Sequence, residues 1–72
     1  MSNIQLRPTT HRGRNKVQEA GNPDHWTIRT ERFDLFGTAG RWLLVEPNGN
    51  PDKSRWVHGT ADSDFVVTEK LI

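Results

Sequence analysis

The chain has no cysteine and no long hydrophobic run. Without thiols, neither disulfides nor thiolate-bound metal can reinforce a domain of 72 residues. No apolar stretch approaches the roughly 18 residues that a membrane span needs. The N-terminus also lacks the apolar segment of a secretory signal. We therefore expect a cytoplasmic protein that does not enter membranes.

Aromatic residues are absent from the first third of the chain. Residues 1–23 hold four basic residues against one acid and end in the turn-forming sequence Gly-Asn-Pro. Aromatic side chains supply much of the area that a small core buries. Because a basic stretch without them does not offset its ordering entropy, residues 1–23 are predicted to be a flexible basic arm. A short helix around residues 14–20 would not persist alone in water.

The remaining residues, 24–72, are predicted to form one small β-rich domain. Trp26, Ile28 and Thr30 alternate with Thr27 and Arg29, and this period of two indicates a half-buried strand. Residues 41–46 are the most apolar segment and lack clean alternation, which indicates a central strand buried on both faces. Residues 55–60 should return antiparallel to it, and residues 65–72 should form the last strand.

Dense turn sequences separate these strands. Gly-Thr-Ala-Gly at residues 37–40 breaks the chain, and the Asn48-Gly49 pair lies between two prolines. The fold is therefore expected to be mainly β, a small bent antiparallel sheet or partly open barrel of three to five short strands. The chain has six aromatic residues, Trp26, Phe33, Phe36, Trp42, Trp56 and Phe65. Most of them are expected to fill the core.

The residues that usually carry chemistry do not form a recognisable site. His11, His25 and His58 have no second ligand at a metal-binding spacing. No serine lies in a nucleophile elbow, and the glycine-rich stretch 37–40 lacks the Lys-Ser/Thr ending of a phosphate loop. We expect no enzyme activity, no metal and no cofactor.

Binding to a macromolecular partner is the remaining class of function, and arginine and tryptophan commonly dominate interface energetics. The candidate contact residues are Arg12, Arg14 and Lys16 in the arm, and Arg29, Arg41, Arg55 and Trp56 in the body. The body carries six basic residues against eight acids, whereas domains dedicated to nucleic acid are usually basic. Two alternatives stay open: a module that stacks single-stranded nucleic acid on its aromatic residues, and a self-associating structural component of a phage particle or another assembly.

The profile as a whole combines the start Met1-Ser2-Asn3, a basic N-terminal stretch and a cysteine-free body rich in tryptophan and glycine from Trp26 to Ile72. It resembles the small early regulators of lytic bacteriophages that bind bacterial RNA polymerase. The resemblance implies docking on the large polymerase subunits and interference with transcription initiation, without chemistry. The leading hypothesis is therefore a monomeric, non-enzymatic inhibitor that acts in the bacterial cytoplasm and touches nucleic acid only secondarily.

Overall fold

A computed structural model describes residues 2–47 and 49–71 of the chain. It contains five strands and one α-helix, in the order β1 (Ser2–Pro8), α1 (His11–Glu19), β2 (Trp26–Phe33), β3 (Arg41–Pro47), β4 (Arg55–His58) and β5 (Phe65–Leu71). The strands make a single antiparallel sheet in the order β4-β3-β2-β1-β5. The predicted mainly β fold is confirmed. Met1, Asn48 of the predicted Asn-Gly turn, and Ile72 of the predicted last strand lie outside the described residues.

The predicted hairpin between the two apolar segments is present as β3 and β4. Leu43 lies opposite Val57, and Leu44 lies opposite Trp56. Between the strands, Pro51–Lys53 form a short 3₁₀ turn whose first residue is proline. β3 is flanked by β2 and β4, and its residues are all buried or half-buried. This agrees with the central position that its apolar sequence indicates.

Residues 2–20 are not the flexible arm that the sequence predicts. Ile4 and Leu6 of β1 are buried and alternate with the exposed Gln5 and Arg7. β1 pairs with β5 along seven residues and with β2 at its other side. The prediction is wrong because a strand gains its stability from the neighbours that cover it, so two alternating aliphatic residues suffice without an aromatic residue.

Helix α1 follows β1 and is held by tertiary contacts despite its nine residues. Thr10 caps its start, since the Thr10 hydroxyl accepts a hydrogen bond from the backbone N–H of Gly13 at 2.9 Å. The helix ends before Gly21, whose φ of +88° ends the regular geometry. Val17 and Ala20 pack against the core. An isolated helix of this length would be marginal in water, so packing stabilises it here.

The core lies on one face of the sheet. It consists of Ile4, Leu6, Trp26, Leu43, Val45, Val57 and Phe65. Of the six aromatic residues only two belong to it, whereas Trp42 and Trp56 are half-buried and Phe33 and Phe36 are exposed. The expectation that most aromatic residues fill the core is therefore wrong. The reason is strand alternation: aliphatic residues of β3 and β4 take the inner positions, so the tryptophans of these strands face outward.

An ion pair between β3 and β5, which are not adjacent in the sheet, indicates that the sheet bends strongly. The guanidinium of Arg41 in β3 binds both carboxylate oxygens of Glu69 in β5, at 3.0 and 3.3 Å. These strands are separated by β2 and β1 in the sheet, a distance of about 14 Å if the sheet were flat. A register shift between Ile28 and Thr30 marks a bulge in β2, and bulges increase local bending and twist.

Candidate interaction surface

Three aromatic side chains meet on the outer face of β3 and β4. Trp42 and Trp56 project outward because their neighbours Leu43 and Val57 point into the core. Phe36, from the loop between β2 and β3, packs on both of them. We call Phe36, Trp42 and Trp56 the aromatic surface.

The rings of the aromatic surface are packed edge to face. The ring centroids of Phe36 and Trp42 are 5.2 Å apart with planes at 82°. Those of Phe36 and Trp56 are 6.5 Å apart with planes at 72°. This geometry matches the aromatic quadrupole, so the rings hold one another in place. Phe36 nevertheless keeps 70% of its surface exposed, which leaves it available to a partner.

The loop that carries Phe36 has an unusual backbone. Phe36 itself has φ 56° and ψ 28°, and Asp34 has φ 57°. Left-handed conformations are rare for bulky residues and cost about 1–3 kcal/mol, so they persist only where the surroundings impose them. The Asp34 carboxylate accepts a hydrogen bond from the N–H of Gly40 at 2.9 Å, and the Asp34 N–H donates to the Gly40 carbonyl at 2.9 Å. These two bonds close the loop at its base.

Of the residues predicted to bind a partner, only Trp56 belongs to the aromatic surface. The candidates of the body lie elsewhere on the sheet. Arg29 sits at the β2 bulge, with its Nε 3.9 Å from Glu46. Arg55 is half-buried at the inner position opposite Val45, and its buried Nε has no hydrogen-bond partner among the described residues.

Arg41 lies away from the aromatic surface and binds two acidic residues, of which Glu69 was described above. Its guanidinium also binds the carboxylate of Glu31 in β2. The hydrogen bonds to Glu69 and then to Glu31 raise the pKa of Arg41, and the same bond with Arg41 lowers the pKa of Glu69. Both acids therefore compete with any partner for this cation.

The three basic candidates of the N-terminal segment lie on α1. Arg12 and Lys16 both bind the buried carboxylate of Asp64, the Lys16 Nζ at 2.8 Å and the Arg12 Nε at 3.3 Å. Arg14 is exposed. Two of the three cations thus share one carboxylate within the protein, and among the described residues Arg14 is the least engaged of the three.

Several residues of this region were not singled out by sequence reasoning. Phe36 and Trp42 were expected to belong to the core with the other aromatic residues, and His58 was expected to have no partner ligand. One available signal was the pair Gly37 and Gly40 shortly after Phe36, since glycine permits the positive φ that both residues adopt in the structure. No local signal pointed to the contact between Phe36 and Trp56, which are 20 positions apart in the sequence.

The described residues contain no group of three or more histidine, cysteine, aspartate or glutamate side chains that could hold a metal ion. Within the same residues, no helix is long and apolar enough to cross a membrane. Comparison with protein-family models, with curated proteins and with solved structures finds no match to this chain.

Proposed function

We propose that this chain is a non-enzymatic regulator that docks on another protein through the aromatic surface. One observation carries the proposal: Phe36 is 70% exposed although it is held in a left-handed backbone conformation. An exposed ring lacks the favourable free energy that burial of its apolar surface would contribute, and the left-handed backbone conformation adds strain. A partner that covers the ring would recover the free energy of burial, which explains why the protein presents Phe36 in this way.

The arrangement also suits tight binding in physical terms. Aromatic anchors surrounded by partly buried neighbours are typical of interface hot spots. Phe36 is already packed on Trp42 and Trp56 in the free protein, so little side-chain entropy is lost when a partner covers it.

The partner that we propose is the pair of large subunits of bacterial RNA polymerase. This choice rests on the resemblance in profile to small phage regulators. Binding there would interfere with transcription initiation by occupying the polymerase surface, without any covalent step.

The test compares two exposed phenylalanines. Tagged wild type, Phe36→Ala and Phe33→Ala are used to capture proteins from nuclease-treated bacterial lysate, and mass spectrometry identifies the captured subunits. Phe33 is the matched control because it is 62% exposed but has no ring contact with the aromatic surface among the described residues. Far-UV circular dichroism verifies that each variant is folded.

Wild type and Phe33→Ala should recover the polymerase subunits, and Phe36→Ala should lose them. A hot-spot side chain contributes about 2 kcal/mol or more, which weakens binding roughly 30-fold when it is removed. Equal recovery with a folded Phe36→Ala variant would remove the aromatic surface from the binding site. Recovery of no polymerase subunit would refute the proposed partner.

A second function is favoured by one observation. Arg32 of β2 lies directly opposite Trp42 in the sheet, so a cation and an aromatic ring share the outer face. In proteins that bind single-stranded nucleic acid, bases stack on such rings and the cations neutralise the phosphates. In this case the captured material would be nucleic acid that disappears after nuclease treatment, and its yield would fall steeply as salt is raised.

A further inference from the structure

His58 lies at an outward position of β4 but is buried. It is opposite Trp42 in the sheet, and only 4% of its surface is exposed. Outward positions of an edge strand are normally solvated. Here two chain segments, the loop around Ala39 and the connection from β4 to β5, make hydrogen bonds to the imidazole and cover it.

The hydrogen bonds fix the tautomer of His58. Its Nδ1 accepts from the backbone N–H of Ala61 at 2.9 Å and of Thr60 at 3.2 Å. Because backbone N–H groups can only donate, Nδ1 carries no hydrogen. The hydrogen is therefore on Nε2, which donates to the carbonyl of Ala39 at 2.9 Å. Both ring nitrogens are thus satisfied, each by a different segment of the chain.

The imidazole lies close against the backbone of Gly40 in this loop. A Cβ atom added to Gly40 would come within 2.6 Å of the His58 Nε2, and Gly40 also has a φ of +116°. The His58 ring contacts Trp42 edge to face at 5.1 Å. The indole N–H of Trp42 in turn donates to the carbonyl of Thr38 at 3.1 Å. Consecutive carbonyls of the Phe36 loop are therefore held by these two side chains.

We infer that His58 is a positioning residue of the aromatic surface. Through the bond to Ala39 and the contact with Trp42 it fixes the loop in which Phe36 is presented. Its consequence for partner binding rests on the proposed function, whereas its effect on the loop belongs to the free protein. His58 thereby links the loop of the aromatic surface to the connection that leads into β5.

Two substitutions separate the two bonds of the imidazole. The side-chain oxygen of His58→Asn reaches the place of Nδ1 and keeps an acceptor for Thr60 and Ala61, but no donor reaches Ala39. The side-chain nitrogen of His58→Gln reaches the place of Nε2 and keeps the donor to Ala39. The readout is hydrogen exchange of the Trp42 indole N–H, measured by nuclear magnetic resonance on the free protein.

Exchange of the Trp42 indole N–H should be up to about tenfold faster in His58→Asn than in wild type, because one hydrogen bond of the loop is lost. In His58→Gln it should stay close to wild type. Equal exchange rates in the two variants would overturn the inference. A second measurement needs no variant: the imidazole ¹⁵N shifts of wild type should show the hydrogen on Nε2, and a hydrogen on Nδ1 would also overturn it.

The same variants separate this inference from the proposed function. If Phe36→Ala leaves capture unchanged while indole exchange follows the expected pattern, docking through the aromatic surface fails and the positioning role stands. If capture depends on Phe36 but exchange is the same in both His58 variants, the positioning role fails and docking stands. When both hold, His58→Asn should recover less polymerase than His58→Gln.

Discussion

Asp64 is a carboxylate that is 2% exposed and lies directly before β5. Lys16 donates to it at 2.8 Å, the Thr10 hydroxyl at 2.8 Å and Arg12 at 3.3 Å. These hydrogen bonds, that of Lys16 foremost, lower the pKa of Asp64 from 3.8 to about 2. A buried carboxylate is tolerated only with such partners, so the charge of Asp64 joins the start of β5 to α1.

The charge of Asp64 should contribute to stability in a defined pH range. Because its folded-state pKa is lowered from 3.8 to about 2, the contribution is complete above about pH 4 and is lost as the pH falls toward 2. Asp64→Asn should melt at a lower temperature than wild type at pH 7, and the gap should narrow between pH 4 and pH 2. Thermal melts over pH 2–7 measure it, with the exposed Asp52→Asn as control. A gap that stays constant with pH would contradict this role.

At the residue scale, sequence patterns predicted little of the site. Trp56 was selected because tryptophan is common at hot spots, and it does belong to the aromatic surface. Phe36 and Asp64 were not selected, since the exposure of one and the burial of the other depend on segments far away in the chain. Lys16 and Asp64 are 48 residues apart. Local periodicity carries no information about contacts of this separation.

At the element scale, the strands whose apolar residues form clear segments were predicted at nearly their observed bounds. β3 and β4 are examples, since a turn rich in proline and glycine separates two apolar segments. The sequence indicated at most a helix around residues 14–20 that is too short to persist alone in water, whereas the observed helix α1 spans His11–Glu19. Besides the packing of Val17 and Ala20 on the core, the helix is held by Asp64 and by the close approach of Gly13 to the β5 start. Neither of these two contacts is visible in the helix sequence.

Gly13 provides the test of that close approach. Glycine is normally the weakest helix former after proline, so Gly→Ala in a helix raises stability by up to about 1 kcal/mol. Here an added Cβ would collide with the Asp64 carbonyl oxygen and lie 3.1 Å from the Asp64 Cβ. Gly13→Ala should therefore lower the free energy of unfolding, by roughly 1–3 kcal/mol. Asn15→Ala, at an exposed position of the same helix, should raise it slightly; urea unfolding of both variants decides, and stabilisation by Gly13→Ala would refute the contact.

At the scale of the whole molecule, the fold class followed from the sequence but the extent of the folded unit did not. Alternation and turn residues are local properties, and they indicate a mainly β chain. The place of β1 is a topological property: it lies between β2 and β5, although it is first in the chain. Its basic and polar outer residues dominated its composition, and the two inner residues, Ile4 and Leu6, are too few to be recognised without their partners.

The position of β1 leads to the last prediction, which concerns the isolated segment 24–72. Without residues 1–23, β5 loses the neighbour with which it pairs along seven residues, and the core loses Ile4 and Leu6. Small domains have little stability to spare, so this segment should be unfolded, with a random-coil circular dichroism spectrum and no cooperative melt. Adding the peptide 1–23 should restore strand signal in a concentration-dependent way. If residues 1–23 were instead a flexible arm, the segment 24–72 alone would melt cooperatively near the melting temperature of the full chain, and this result would contradict the prediction.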